Sequence, residues 1–431
     1  MRLNPAPARV ALRRSLLAVA SAVALVAALF TSVPAVKASS VIYVGMNKAS
    51  NLANSGCNAP RFGTQSYASD HDATIQAAIT AAAEGDTVHI CTGTWTLAST
   101  AGERPINTAD HLNTNSKELT LRGDGRDKTI LKATTFGRII SSSDGFGGDW
   151  EPLTFTNIEL QGGNVNWNGG AVAAAGVTCS NADFVNNVAT GGSGGAIYSE
   201  GSVSITSCRF VNNTASSDGG AVALGASELT ISTSAFTGNV ASECGGAVAA
   251  NDSAATVAKS TFERNTSAVS AAYCGKFSGA LTVTGTIFRS NRATENIGAV
   301  EAEEVTSSRN QFINNVADQE NGALQFCVGS LDRDTFQGNR SSTGSAALDA
   351  VCELTGMTRT VFTRNVAGSG GNILYVPNAA AAQRNTISAN QMTRGSAVTV
   401  CSRDEMVAFL RQNTLKSNSG GPAIEIVGCF D

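Results

Sequence analysis

The chain has 431 residues, 15% of them charged and 6% aromatic, with 44 Gly, 8 Pro and 10 Cys. This composition excludes wholesale disorder and collagen, and ten Cys are too sparse for a disulfide-stapled mini-protein, so one or two domains with real cores are expected. Formal charge is −4, from 30 basic and 34 acidic side chains.

Residues 1–38 read as an export signal. Arg2, Arg9, Arg13 and Arg14 precede an apolar run from Leu16 to Phe30, and Val36 and Ala38 supply the small residues of a cleavage site. The run falls short of the ~20 residues needed to span a bilayer. Cleavage after Ala38 leaves 25 basic against 34 acidic side chains, a net −9, so no basic face dominates and nucleic acid is not an expected partner.

Residues 39–150 are expected to hold a cap and the first coils of a solenoid. Asp72 can cap a helix in which Ile75, Ala78, Ile79 and Ala82 share one face, and Gly85 stops it. Such a helix would shield the first core layer from water. Short strands follow at Thr87–Cys91, Leu119–Leu121 and Thr129–Leu131, the last two joined by a turn at Gly123-Asp124-Gly125.

From residue 151 to 431 the chain repeats. Phe-x-x-Asn occurs at Phe184, Phe210, Phe236, Phe262, Phe288, Phe312, Phe336 and Phe362, with spacings of 26, 26, 26, 26, 24, 24 and 26, and Ile387 and Leu415 continue the series. A second marker, Gly-Ala, precedes most of these, as at Gly195-Ala196 and Gly220-Ala221. Between the markers run alternating stretches such as Val203-Ser204-Ile205, which have the period of two of a half-buried strand. The pattern predicts an all-β fold, a single-stranded parallel β-helix of roughly ten coils stacked at about 4.8 Å. Phe points inward and stacks, Asn holds a corner in left-handed backbone and bonds to the Asn above and below, and Gly turns the chain. Near the end, Ser402 and Glu405 form a capping box ahead of Met406, Val407, Phe409 and Leu410, and Ile424–Val427 forms a last strand whose open edge could pair two copies.

These markers resemble the polymorphic outer membrane protein repeats, defined by Gly-Gly-Ala-(Ile/Val/Leu) and Phe-x-x-Asn, within the pectin-lyase-like group of right-handed parallel β-helices. Gly194-Gly195-Ala196-Ile197 and Phe210-Val211-Asn212-Asn213 carry the resemblance, which covers about residues 165–420. It implies an extracellular, adhesin-like scaffold. The chain has only about one coil beyond Leu415, so the membrane barrel of autotransporters, and attachment through it, is not expected.

In sequence order, Cys57 and Cys91, Cys179 and Cys208, Cys244 and Cys274, Cys327 and Cys352, and Cys401 and Cys429 are separated by 34, 29, 30, 25 and 28 residues, each close to one coil. Stacked strands bring such residues within disulfide range, so consecutive pairing in an oxidising compartment is expected; buried free thiols are the alternative. No Cys-x-x-Cys pair suggests a metal.

Candidate sites are few. Arg309, Arg333, Arg359 and Arg384, with Lys259 earlier, hold one position of successive repeats and would form a basic stripe for uronate or sulfate groups, unless carboxylates such as Asp332 and Asp334 relieve it. Glu301 and Glu303 would leave one strand on the same side, while Val300 and Ala302 face the core. Carboxyls so placed suit inverting glycoside hydrolysis or Ca²⁺, or are simply an acidic surface with Glu295 and Glu304. His71, His89 and His111 are dispersed, with His71 at a helix start, and Trp95, Trp150 and Trp167 are sugar platforms or packing residues. No cofactor is expected. Two functions remain open: a secreted scaffold binding a glycan or protein, and a polysaccharide lyase or hydrolase.

Overall fold

The computed structural model describes residues 39–46, 56–63, 71–98, 110–142, 150–225 and 227–426. The expected export signal and Cys429 lie outside them. All described elements from Ser40 onward belong to one unit, a right-handed parallel β-helix in which every pairing between named strands is parallel. Three sheets of 23, 13 and 10 strands form its walls.

The Phe column lies in the 13-stranded sheet. Rings from Phe184 to Phe362 stack with centroids 4.6–5.1 Å apart, all buried. This sheet exceeds the ten coils expected, because the register continues the column backwards through Leu160, Leu131 and Trp95. Those coils carry a large apolar side chain without the Phe-x-x-Asn signature. Trp95 is therefore a packing residue: it is fully buried and its Nε1 donates to Cys91 O at 2.9 Å.

The Asn column is a continuous hydrogen-bonded ladder. Asn213 donates from its backbone N and from Nδ2 to Asn239 Oδ1, both at 3.0 Å, and Asn239 Nδ2 donates to Phe210 O at 3.1 Å. The same pattern runs from Asn187 to Asn418. The left-handed residue is not the ladder Asn but its predecessor: Asn212 has φ 54° and Arg264 φ 54°. The corner residue turns the backbone outward so that the following Asn can point in. At the opposite corner Gly194, with φ 70°, makes the turn, while a Cβ on Gly195 would collide with Gly220 O of the next coil.

A second buried ladder, two residues before the Phe column, contains Ser234, Ser260, Thr286, Asn310, Asp334, Thr360 and Asn385. Its links run from a backbone N–H to the side chain of the next coil, as from Ser234 N to Ser260 Oγ and from Thr286 N to Asn310 Oδ1. These groups satisfy corner N–H groups that would otherwise be buried without a partner.

The N-terminal helix spans His71–Ala81 and buries Ile75, Ala78 and Ile79 against the first strands. His71 begins it. Asp72 lies inside the first turn rather than ahead of it, and its Oδ1 accepts from Ala98 N at 3.2 Å. The strands at Thr87–Ile90, Leu119–Arg122 and Thr129–Ala133 form as expected. So does the late helix, Arg403–Gln412, which carries the full Ser402–Glu405 capping box. Among the described residues no helix is long and apolar enough to cross a membrane.

Among the described residues four disulfides join Cys57 to Cys91, Cys179 to Cys208, Cys244 to Cys274 and Cys327 to Cys352, with Cα separations of 5.7, 6.5, 5.9 and 4.6 Å. Consecutive pairing holds for these four. Not all are directly stacked: Ile205, not Cys208, is the register partner of Cys179.

Candidate functional site

In most coils the Gly-Ala strand and the following strand are separated by a turn, as between Ile197–Ser199 and Val203–Thr206. Four consecutive coils lose that break. Tyr273–Thr284, Val300–Ser308, Leu324–Asp332 and Leu348–Thr358 are continuous strands of 12, 9, 9 and 11 residues. The two of 9 residues belong to the repeats of 24 residues and those of 12 and 11 to repeats of 26, so the strand runs through with or without the extra pair.

Across these strands lies a cavity of about 410 Å³, lined by Gly275, Glu301, Glu303, Gln325, Phe326 and the Cys327–Cys352 disulfide. Both carboxylates singled out in the sequence therefore share one cleft. Val300 and Ala302 are buried behind them, as alternation requires. Glu304 is also exposed, because alternation slips by one residue between Glu303 and Glu304. Glu301 Oε2 accepts from Ser270 Oγ at 2.8 Å, which fixes the carboxylate at the cleft wall.

Sequence reading missed the neighbours that register supplies. Cys274, Glu301, Gln325, Asp349 and Tyr375 occupy one outward row on successive strands. Burial pushes the Asp349 carboxyl up to about 6, and Glu320 adds to the rise, while a hydrogen bond with Asn321 opposes it. Glu301 and Asp349 are separated by one strand, hence by about 9.6 Å along the stack.

The arginine stripe is real as geometry. Arg309, Arg333, Arg359 and Arg384 occupy one left-handed corner, with φ between 52° and 58°, and all are exposed. Their backbones link to successive coils, as in Arg309 N to Asp332 O at 2.9 Å and Arg333 N to Thr358 O at 2.9 Å. Lys259 holds the same corner, with φ 50°. Asp332 partly neutralises the stripe, at 3.4 Å from Arg333 and 3.1 Å from Arg359. Asp334 does not, because it is buried in the second ladder, two residues before the Phe column. The stripe stands at the ends of the long strands, eight residues beyond Glu301, or about 26 Å along the strand direction.

Elsewhere, His89 Nε2 lies 2.7 Å from Asp124 Oδ1, and Arg122 Nε donates to His89 Nδ1 at 3.0 Å. The sulfurs of Cys57 and Cys91 are close by, but they are joined to each other and offer no thiolate to a metal. The same holds for Cys244 and Cys274 beside Glu301. Trp150 is half-buried, and Trp167 is 45% exposed at a corner away from the cleft-lining residues.

A family profile described as the Chlamydia polymorphic membrane protein repeat matches residues 181–200, the stretch that holds Phe184, Asn187 and Gly194-Gly195-Ala196-Ile197. No curated protein matches the chain. Among solved structures, the chain is similar to a tailspike protein of E. coli bacteriophage HK620 in complex with a pentasaccharide, at 14% identity and TM-score 0.42, covering 84% of this chain and 77% of that one. It is also similar to the A-module of an Azotobacter vinelandii mannuronan C-5 epimerase, at 15% identity and TM-score 0.34, covering 82% and 95%. The catalytic unit of an α-1,3-glucanase from Streptomyces thermodiastaticus aligns at 11% identity and TM-score 0.30, covering 83% and 66%.

Proposed function

We propose that the protein is an exported β-helix that binds a glycan along the four long strands, with sugar hydroxyls at Glu301, Glu303 and Gln325 and acidic groups at the arginine corner. The observation that carries this reading is the cleft itself: an open cavity of about 410 Å³ with two carboxylates and an amide converging on it. Carboxylates and amides accept and donate hydrogen bonds to hydroxyls, and the apolar side of Phe326 and the disulfide offers a surface to the C–H face of a sugar. Four disulfides fit a protein folded in an oxidising compartment, which supports export.

Retention on immobilised neutral, uronate and sulfated polysaccharides tests it. Binding that falls at least tenfold in Glu301→Gln, with the salt-sensitive part lost in the Arg333→Ala/Arg359→Ala double variant, is expected. Wild-type retention on no polymer would overturn the reading.

A hydrolytic second reading rests on Asp349. A carboxyl pushed up to about 6 by burial stands in the same outward row as Glu301, two strands along the stack, so that their backbones are about 9.6 Å apart and side chains leaning toward each other would bring the carboxyls within the about 6.5–9.5 Å of an inverting acid and base. Turnover would then fall as pH rises through about 6 and be abolished in Asp349→Asn. Absence of new reducing ends on every polymer that binds leaves the scaffold function alone.

A further inference from the structure

The long strands carry a second cavity. It measures about 150 Å³ and is lined by Glu304, Thr306, Val328, Ser330 and Thr355, on the same strands as the cleft but further along them. Its middle, at Val305, lies three residues beyond Ala302 in the cleft and four residues short of Arg309, hence about 10 Å from the one and about 13 Å from the other. Between the two cavities consecutive residues of each strand face out: Glu303 with Glu304, Cys327 with Val328, and Val351 to Glu353. Cleft, second cavity and arginine corner therefore fall on one line, and that line follows the strands.

The flanks border this line. In the coil before, a turn parts Val248–Ala250 from Ala254–Ala258, and register sets it beside Gly275–Ala280. In the coil after, the 3₁₀ helix Ala379–Ala381 stands between Leu374–Val376 and Ala382–Gln383, beside the middle of Leu348–Thr358. The path that joins the cavities is thus bordered on both sides and leads on to the arginine corner.

Charge is sorted along the same path. Glu301 and Glu303 line the cleft, Glu304 lines the second cavity, and Glu353 is exposed between them; among the described lining residues neither cavity has a basic side chain. The cations stand at the far end, where the single carboxylate of Asp332 is shared by Arg333 and Arg359. An anionic ring in either cavity meets like charge at close range, whereas one at the corner meets guanidinium groups. The hydroxyls of Thr306 and Ser330 and the carboxylate of Glu304 can exchange hydrogen bonds with sugar hydroxyls, and Val328 offers an apolar contact.

We infer that the second cavity is a further sugar subsite and that the ligand has uncharged rings in both cavities and an acidic group only where it reaches Arg309, Arg333 and Arg359. This rests on the glycan reading and narrows it to a neutral polysaccharide with sparse acidic substituents, as against a polyuronate or a densely sulfated chain.

Retention of the full chain at low salt is compared on neutral polymers of glucose, galactose, mannose and N-acetylglucosamine, on the same polymers sparsely carboxymethylated, and on polygalacturonate, polymannuronate and a densely sulfated galactan. The tightest retention is expected on a sparsely carboxymethylated polymer, at least tenfold above its neutral parent and above every dense polyanion. Thr306→Tyr, which fills the second cavity from an exposed position, is expected to lower that retention at least tenfold at an unchanged melting temperature; Ser330→Tyr decides the matter if it folds poorly. Glu304→Gln should raise retention on polygalacturonate several-fold. A neutral parent or a dense polyanion held as tightly as the sparsely acidic polymer, or a filled cavity without effect, overturns the inference and leaves glycan binding in place. Retention on no polymer overturns both.

Discussion

Asn310 donates its backbone N–H to Asp334 Oδ1 at 2.7 Å, inside a ladder whose later rungs are Thr360 and Asn385. Asp334 is the only carboxylate among these rungs. Its Oδ2 is buried without a hydrogen-bond partner, and burial pushes the carboxyl up to about 7, with a smaller push from Asp332 and hydrogen bonds from Asn310 opposing.

A raised carboxyl is protonated in the folded chain while the unfolded chain ionises it near 3.8. The cost is absent below about pH 4, grows as pH rises, and is complete above about 7. Asp334→Asn keeps the acceptor for Asn310 and adds a donor, as Asn310 Nδ2 gives to Val283 O at 2.9 Å. Urea denaturation at pH 8 should show a gain of up to about 4 kcal/mol that vanishes near pH 4. A gain of equal size at both pH values would contradict the assignment.

Removing one rung of the Asn ladder that follows the Phe column has the opposite sign. Asn239→Ala strips the acceptor from Asn213 N and Nδ2 and the donor from Phe210 O. All of these groups are buried, and about 2–4 kcal/mol should be lost in equilibrium unfolding. Asn239→Asp keeps the acceptor but buries a charge, so its deficit should shrink on acidification.

The Phe column behaves as a packed core. Phe236 lies 4.7 Å from both Phe210 and Phe262. Phe236→Ala should cost about 3–5 kcal/mol, and Phe236→Leu less, since Leu131 and Leu160 already hold this place in earlier coils. Calorimetry of both variants measures the difference.

The Cys327–Cys352 disulfide forms part of the cleft wall. Replacing both by Ser should lower stability by about 2–4 kcal/mol, through the loop entropy returned to the unfolded chain. It should also weaken glycan retention, because the wall between Phe326 and Val351 loses its brace. Retention unchanged in the double Ser variant would show that the wall is held by strand pairing alone.

The repeat made most of the architecture legible. Phe every 24 or 26 residues with Asn three later leaves one cheap arrangement, in which each coil buries its aromatic ring on the next, and the cysteine spacing follows from the same coil length. Leu160, Leu131 and Trp95 carry no mark of their place in that column, because any large apolar side chain fills it and no letter repeats. The motif points to the ladder Asn as the left-handed residue, but that side chain must point inward, and the residue before it makes the outward corner.

Glu301 and Glu303 could be placed on one side of one strand from alternation, which is local. Gln325 and the disulfide that line the cleft with them, and Asp349 in the row of Glu301, come from other coils, and the slip that exposes Glu304 lies where the register with the preceding strand shifts, between Gly275 and Ala280. The sequence alone determined the period, the core letters and the direction of each side chain relative to its own strand. Only the tertiary structure decided which outward side chains meet, because that depends on the register between coils, and the insertions and deletions that shift it leave no mark on the residues they bring together.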